Sequence, residues 1–168
     1  MPNPFGLIAG STPPRTSGKY FLMFKTVPKP HPELRNYTGT WDPEFGLMDV
    51  SANSERFEDD SRGYLSIKLY DSLKRQLNHV YGENTVIEMI DEDSVWNGDA
   101  EFIHSIIAGD RSYITKWSHE DGSNLDSGIS EIWLSIDPED SDTGIVRLRY
   151  VFEGGPSPED DGIGLDSL

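Results

Sequence analysis

The chain has no cysteine, which excludes disulfides, thiolate metal ligands and a cysteine nucleophile. No stretch approaches the roughly 18 consecutive apolar residues of a membrane span. The opening MPNPFGLIAGSTPPR has neither a basic leader nor a long apolar run, so a signal peptide is not expected. A bacterial, cytoplasmic setting follows as the expectation. Motifs for catalysis are missing too. There is no G-x-S-x-G nucleophile elbow, and His31, His79, His104 and His119 are scattered without metal-ligand spacing. Counted from Asp140, an EF-hand would need Asp or Asn at the position Gly144 holds and Glu where Val151 stands. Gly162-x-Gly164 neither follows a strand nor opens a helix, so it is no dinucleotide fingerprint. No basic patch is interleaved with aromatics as nucleic-acid binding requires. The expectation is no catalytic residue, no metal, no cofactor, and no nucleic-acid or membrane partner.

What is present is organised around Arg62–Gly82, RGYLSIKLYDSLKRQLNHVYG. Leu69, Leu73, Leu77 and Val80 fall on one stripe widened by Tyr70 and Tyr81, with Lys68, Asp71, Lys74, Arg75 and Asn78 opposite. That is the period of an amphipathic helix. Asp59, Asp60 and Ser61 offer capping oxygens at its start, and Gly82 can end it. Around it the chain reads mainly as strands. Residues 1–19 carry prolines and small polar residues without a period and read as a flexible arm. Tyr20–Val27 reads as a buried strand, and the prolines of PKPHPELRNY as a stiff connector. Gly46–Ser54 alternates, with Met48, Val50 and Ala52 on one face and Asp49, Ser51 and Asn53 on the other. Val86–Ile90 is compatible with a short strand, and Ala100–Ala108 has helical spacing ending at Gly109.

Three strands close the chain: Arg111–Trp117, Ile129–Ile136 and Gly144–Phe152, the last two flanking the loop DPEDSDT. Pairing Ile136 with Gly144 sets Glu131 against Arg149 and Trp133 against Arg147, an ion pair and a cation–π pair. The even face, from Ile132 to Phe152, is apolar and suited to receive the helix. The expected fold is therefore α+β, an antiparallel sheet of about five strands with one long amphipathic helix on one face, in the order ββα(α)βββ. Residues 20–153 form a single domain, and residues 154–168 a flexible acidic tail.

The succession KPHPEL, GLMDVSA, FEDDSRGYLSIKLYDSLKRQLNHVYG, Trp96, Tyr113–Trp117, ISEIWLSI and IVRLRYVFE resembles a group of short bacterial proteins without assigned function. In that group "YG" closes the main helix and a hydrophobic hairpin closes the domain. The resemblance covers Tyr20 to Glu153, implies the fold and carries no catalytic or cofactor residue. At the level of class, size, acidity and layout are similar to immunity proteins of bacterial toxin systems.

Charge gives the functional lead. Met1–Gly82 holds 10 Lys and Arg against 9 Asp and Glu, a net of +1, whereas Glu83–Leu168 holds 4 against 21, a net of −17. Such a field repels nucleic acid and attracts basic partners. If the connection from Trp117 to Ile129 preserves parity, Tyr113, Trp117 and Trp133 share the odd sheet face with Glu131, Arg147 and Arg149. Tyr, Trp and Arg dominate interfaces when a partner buries them; the competing reading is that the arm and Tyr20–Val27 cover this face. With the acidic loop residues Asp137, Glu139, Asp140 and Asp142, these are the candidate partner-binding residues. The expectation is a non-enzymatic, immunity-type inhibitor of a basic protein such as a toxin. A DNA-mimic inhibitor is the alternative, and a hydrolase using paired carboxylates ranks third.

Overall fold

In the computed structural model, which describes residues 4–7 and 20–159, the amphipathic stretch is a helix, α1, from Tyr64 to Tyr81. Leu69, Tyr70, Leu73, Leu77 and Tyr81 are buried along it. Val80, expected on the same stripe, is 59% exposed; it lies in the last turn, on the rim of a groove between the helix and the proline connector. Of the three capping candidates Asp60 is the one used. Its carboxylate accepts the amides of Leu65 and Ser66 at 3.0 and 2.9 Å and the Ser66 hydroxyl at 2.8 Å, which satisfies donors that a helix start leaves unpaired. Gly63 precedes the helix at φ 71°, and a Cβ there would meet the Phe102 ring at 2.3 Å, so both conformation and space demand glycine.

The helix lies on a single seven-stranded antiparallel sheet. In chain order the strands are β1 (Tyr20–Met23), β2 (Arg35–Asp42), β3 (Gly46–Asn53), β4 (Thr85–Ile90), β5 (Arg111–Ser118), β6 (Ile129–Ile136) and β7 (Val146–Phe152). Spatially they run β1-β2-β3-β7-β6-β5-β4. A short helix, α2 (Phe102–Ile107), follows a 3-10 turn at Asp99–Glu101 and packs on β5. Val50 and Ala52 of β3, Ile132, Leu134 and Ile136 of β6, and Val146, Leu148 and Tyr150 of β7 build the core under α1. No helix among the described residues is long and apolar enough to cross a membrane.

The α+β class with one antiparallel sheet agrees with expectation; the strand count and order do not. The described residues form seven strands rather than about five, in the order βββαβαβββ. Tyr20–Val27, expected as a buried strand, is only four residues of edge strand, with Phe21 65% and Met23 80% exposed. The strand missed altogether is β2, RNYTGTWD. Its alternation of Tyr37, Gly39 and Trp41 is masked by a glycine, which closes on the Asp49 carbonyl and leaves no room for a side chain. The β6–β7 hairpin is shifted by two residues from the expected register: Ile136 faces Val146, Leu134 faces Leu148 and Trp133 faces Arg149. A shift of two preserves which face each side chain takes, so the apolar face still receives the helix.

The described parts of the two flanking segments, residues 4–7 and 154–159, are packed on the domain. Phe5 is buried, edge-on to Tyr37 and Tyr150 at centroid distances of 4.8 and 5.6 Å; residues 1–3 and 8–19 of the expected arm lie outside the described residues. Gly154–Glu159, expected as tail, turns back over the sheet with Pro158 buried. Residues 160–168 again lie outside the described residues.

Candidate functional site

Antiparallel pairing dictates where the connections emerge. Asn53 of β3 faces Arg147 of β7, Ile136 faces Val146, and Ile90 faces Arg111. The connections β3–α1 (54–63), β4–β5 (91–110) and β6–β7 (137–145) therefore leave the sheet at one end. These three hold fourteen Asp and Glu against Arg56 and Arg62 alone, a net of −12, while the β1–β2 connection (24–34), which leaves at the same end, carries Lys25 and Lys29 against Glu33, a net of +1. The opposite end, residues 43–45, 82–84, 119–128 and 153–159, holds seven acids and no Lys or Arg. The labelled strands and helices between them carry eight Lys and Arg against five Asp and Glu, a net of +3. Charge is thus separated by position in the fold, with negative ends and a weakly positive body.

The more acidic end is a laced surface rather than three independent loops. Phe57 and Gly144 exchange backbone hydrogen bonds at 2.9 and 3.2 Å, the Asp60 amide donates to the Asp142 carbonyl at 2.7 Å, and the Ile103 amide donates to the Ser61 carbonyl at 3.0 Å. A Cβ at Gly144 would fall 2.0 Å from the Ser66 hydroxyl, which is how closely the β6–β7 loop seats on the start of α1. Arg56 reaches across to Glu139 at 2.6 Å. Asp91, Glu92, Asp93 and Asp99 remain exposed on the β4–β5 connection.

Within the β6–β7 loop the four candidate acids have different fates. Asp137 pairs with Arg147 at 3.0 Å and Glu139 with Arg56. Asp140 and Asp142 are exposed and share hydrogen bonds: the Thr143 hydroxyl and the Asp142 amide hold the Asp140 carboxyl below its usual range, while the bond to Asp140 raises that of Asp142. Among the described residues no group of three or more His, Asp or Glu is placed to hold a metal ion.

The sheet face opposite α1 is not the aromatic platform expected. Parity is not preserved between β5 and β6, because Trp117 faces Ile132 and Lys116 faces Trp133. Trp117 is fully buried on the α1 side, its indole N–H donating to Asn78 Oδ1 at 3.1 Å. Tyr113 lies on that side too, edge-on to Tyr70 at 4.8 Å and Phe102 at 5.5 Å; burial, then the carboxylates of Asp71 and Glu88, raise its hydroxyl's pKa. The structure separates these two residues from Glu131, Trp133, Arg147 and Arg149, which do share a face. The anticipated cross-strand pairs are not formed either. Arg149 binds Asp49 at 3.0 Å, and the cation over Trp133 is Lys116, 5.6 Å from the ring centroid.

β1 lies at the far edge of the sheet from β6, and among the described residues it is the segment after β7 that covers Trp133. Ser157 donates to Glu131 Oε2 at 2.8 Å, beside the Trp133 indole N–H, which donates to the same oxygen at 2.9 Å. Lys116 pairs with Glu159 at 3.0 Å. Partial burial works against the Lys116 charge, but the Glu159 hydrogen bond and the carboxylates of Glu159, Asp121 and Glu131 together hold its ammonium above the usual lysine range. Lys116, Asp49 and Pro158 escaped sequence reasoning: each has meaning only across strands that are remote in the chain. Compared with known proteins, the chain matches no family model, no curated protein and no solved structure.

Proposed function

We propose that the protein is a non-enzymatic binding protein of the bacterial cytoplasm, an immunity-type inhibitor that meets a basic protein partner, such as a toxin, with its laced acidic end. The observation that carries this reading is the net charge of −12 on three connections fastened to one another by backbone hydrogen bonds. A surface of one sign raises encounter rates with an oppositely charged partner, and pre-fastened loops lose little freedom when it docks. The face of Arg147 and Arg149 lies beside this end, with Asp137 pairing into it, which favours a contact that extends from the acidic loop onto those arginines.

The test is capture of the partner. The full chain, immobilised at low ionic strength and exposed to a lysate of its host, is expected to retain one basic protein in stoichiometric amount. Raised salt should release that protein, and its activity should be lost when the chain is bound. Retention of only the bulk basic proteins, or a complex whose formation ignores salt, contradicts the reading. Competition of duplex DNA for the captured partner's site distinguishes a DNA mimic from an inhibitor that docks elsewhere.

A further inference from the structure

We propose that the cleft where β5 and β6 part is a binding site for a small organic acid, one carboxylate on a compact apolar body. Pairing between these strands ends at Ile114 and Ser135, although β5 begins at Arg111 and β6 continues to Ile136. Arg111–Tyr113 therefore has only β4 for a neighbour. The gap left between the strands opens into a cleft of about 270 Å³, at the small end of the volumes that hold organic ligands.

The lining matches that ligand. Met89, Ile114, Trp133 and Pro158 supply apolar surface, and Ser51 and Ser135 supply hydroxyls. Three arginines and Asp137 also line it, and the arginines' charges are unevenly balanced. Arg147 is neutralised by Asp137 and Arg149 by Asp49, each at 3.0 Å. Arg111 has no carboxylate within ion-pair distance among the described residues. Its guanidinium lies 4.9 Å over the Phe102 ring, it donates through one terminal nitrogen to the Asn97 carbonyl at 3.2 Å, and its Nε is buried with no acceptor. A chain of net charge −16 thus keeps an arginine without a carboxylate partner, and with one donor unpaired in its interior, in the wall of an apolar cleft. Buried donors are rarely left unpaired, and a carboxylate is the acceptor that guanidinium geometry favours. This inference is independent of the proposed partner.

The test titrates the full chain with 3-phenylpropionate and with the neutral 3-phenylpropionamide, following backbone amides by NMR. The acid is expected to shift the amides of Arg111–Tyr113 and Ser135–Asp137 saturably, and to bind about tenfold or more tightly than the amide, as loss of a charge-assisted hydrogen bond implies. Arg111→Gln should abolish that difference, and Ser135→Leu, which fills the cleft, should block both probes; the same spectra report whether each variant is folded. Equal affinity for acid and amide overturns the proposal. So do shifts confined to other residues, no saturable shift, or a preference that survives Arg111→Gln.

Discussion

Replacing Asp91, Glu92, Asp93 and Asp99 by their amides is expected to slow association with the captured basic partner about ten- to a hundredfold at low salt, leaving dissociation nearly unchanged. All four side chains are exposed on the β4–β5 connection. Asp91 caps the turn by accepting the Asp93 amide at 3.0 Å, a role asparagine also fills, so the substitution changes the field and little else. Long-range steering depends on summed charge and is screened over about 8–10 Å at physiological salt; removing four of the fourteen acids on the three laced connections therefore lowers the encounter rate. Neutralising Glu44, Glu83, Glu120 and Glu153 at the opposite end, also exposed, is the matched control and should change the rate far less. Equal slowing by both sets would mean that only net charge matters and that the laced end has no special place. Stopped-flow or surface-based kinetics with each variant decides between these outcomes.

Trp117→Ala is expected to cost about 3–5 kcal/mol of stability, read from the midpoint and slope of chemical denaturation. Trp117 is fully buried, on the α1 side of β5. Its ring fills space that alanine leaves empty, and a close-packed interior recovers only part of such a loss. The polar part of the deficit is smaller: Asn78 Oδ1, the acceptor of the indole N–H, also accepts the Asn84 amide at 2.6 Å and so keeps a partner. A loss under about 1 kcal/mol would place the ring outside the core, as its sequence neighbourhood suggested, because exposed substitutions rarely exceed that value.

Trp117 also shows where the sequence stops being legible. Along one strand, alternation says which residues share a face, and in β3 this held for Val50 and Ala52, which join the core, but not for Met48, in whose stead Leu47 joins it beside a register shift in the β2–β3 pairing. Across strands, faces are related only through the connection between them. The ten residues from 119 to 128 contain a hydrogen-bonded turn at Ser118–Ser123 and glycines at positive φ, and nothing in their composition states a parity. The helix was legible because its period repeats over five turns of Arg62–Gly82 and has a capping aspartate at one end and a glycine at the other. The Asp60 carboxylate was correctly placed as a cap, but its backbone amide's bond to Asp142 joins residues far apart in the chain. The acidity of the second half was plain in the sequence. Its gathering at the two ends, with a positive body between, needed the strand order, since 54–63 belongs to the same end as 91–110 and 137–145 only once β3 is paired with β7. The segment Gly154–Glu159 was misread because glycine and proline signal a loop, and a loop can still be fastened when its serine and glutamate meet Glu131 and Lys116.

The most direct test of the account is the association rate of the wild-type chain with its captured partner as a function of ionic strength. A steady fall in the rate with added salt, at a nearly constant dissociation rate, is the predicted result. A rate that does not change with salt contradicts it, for then the carboxylates fastened together at the end of the sheet take no part in meeting the partner.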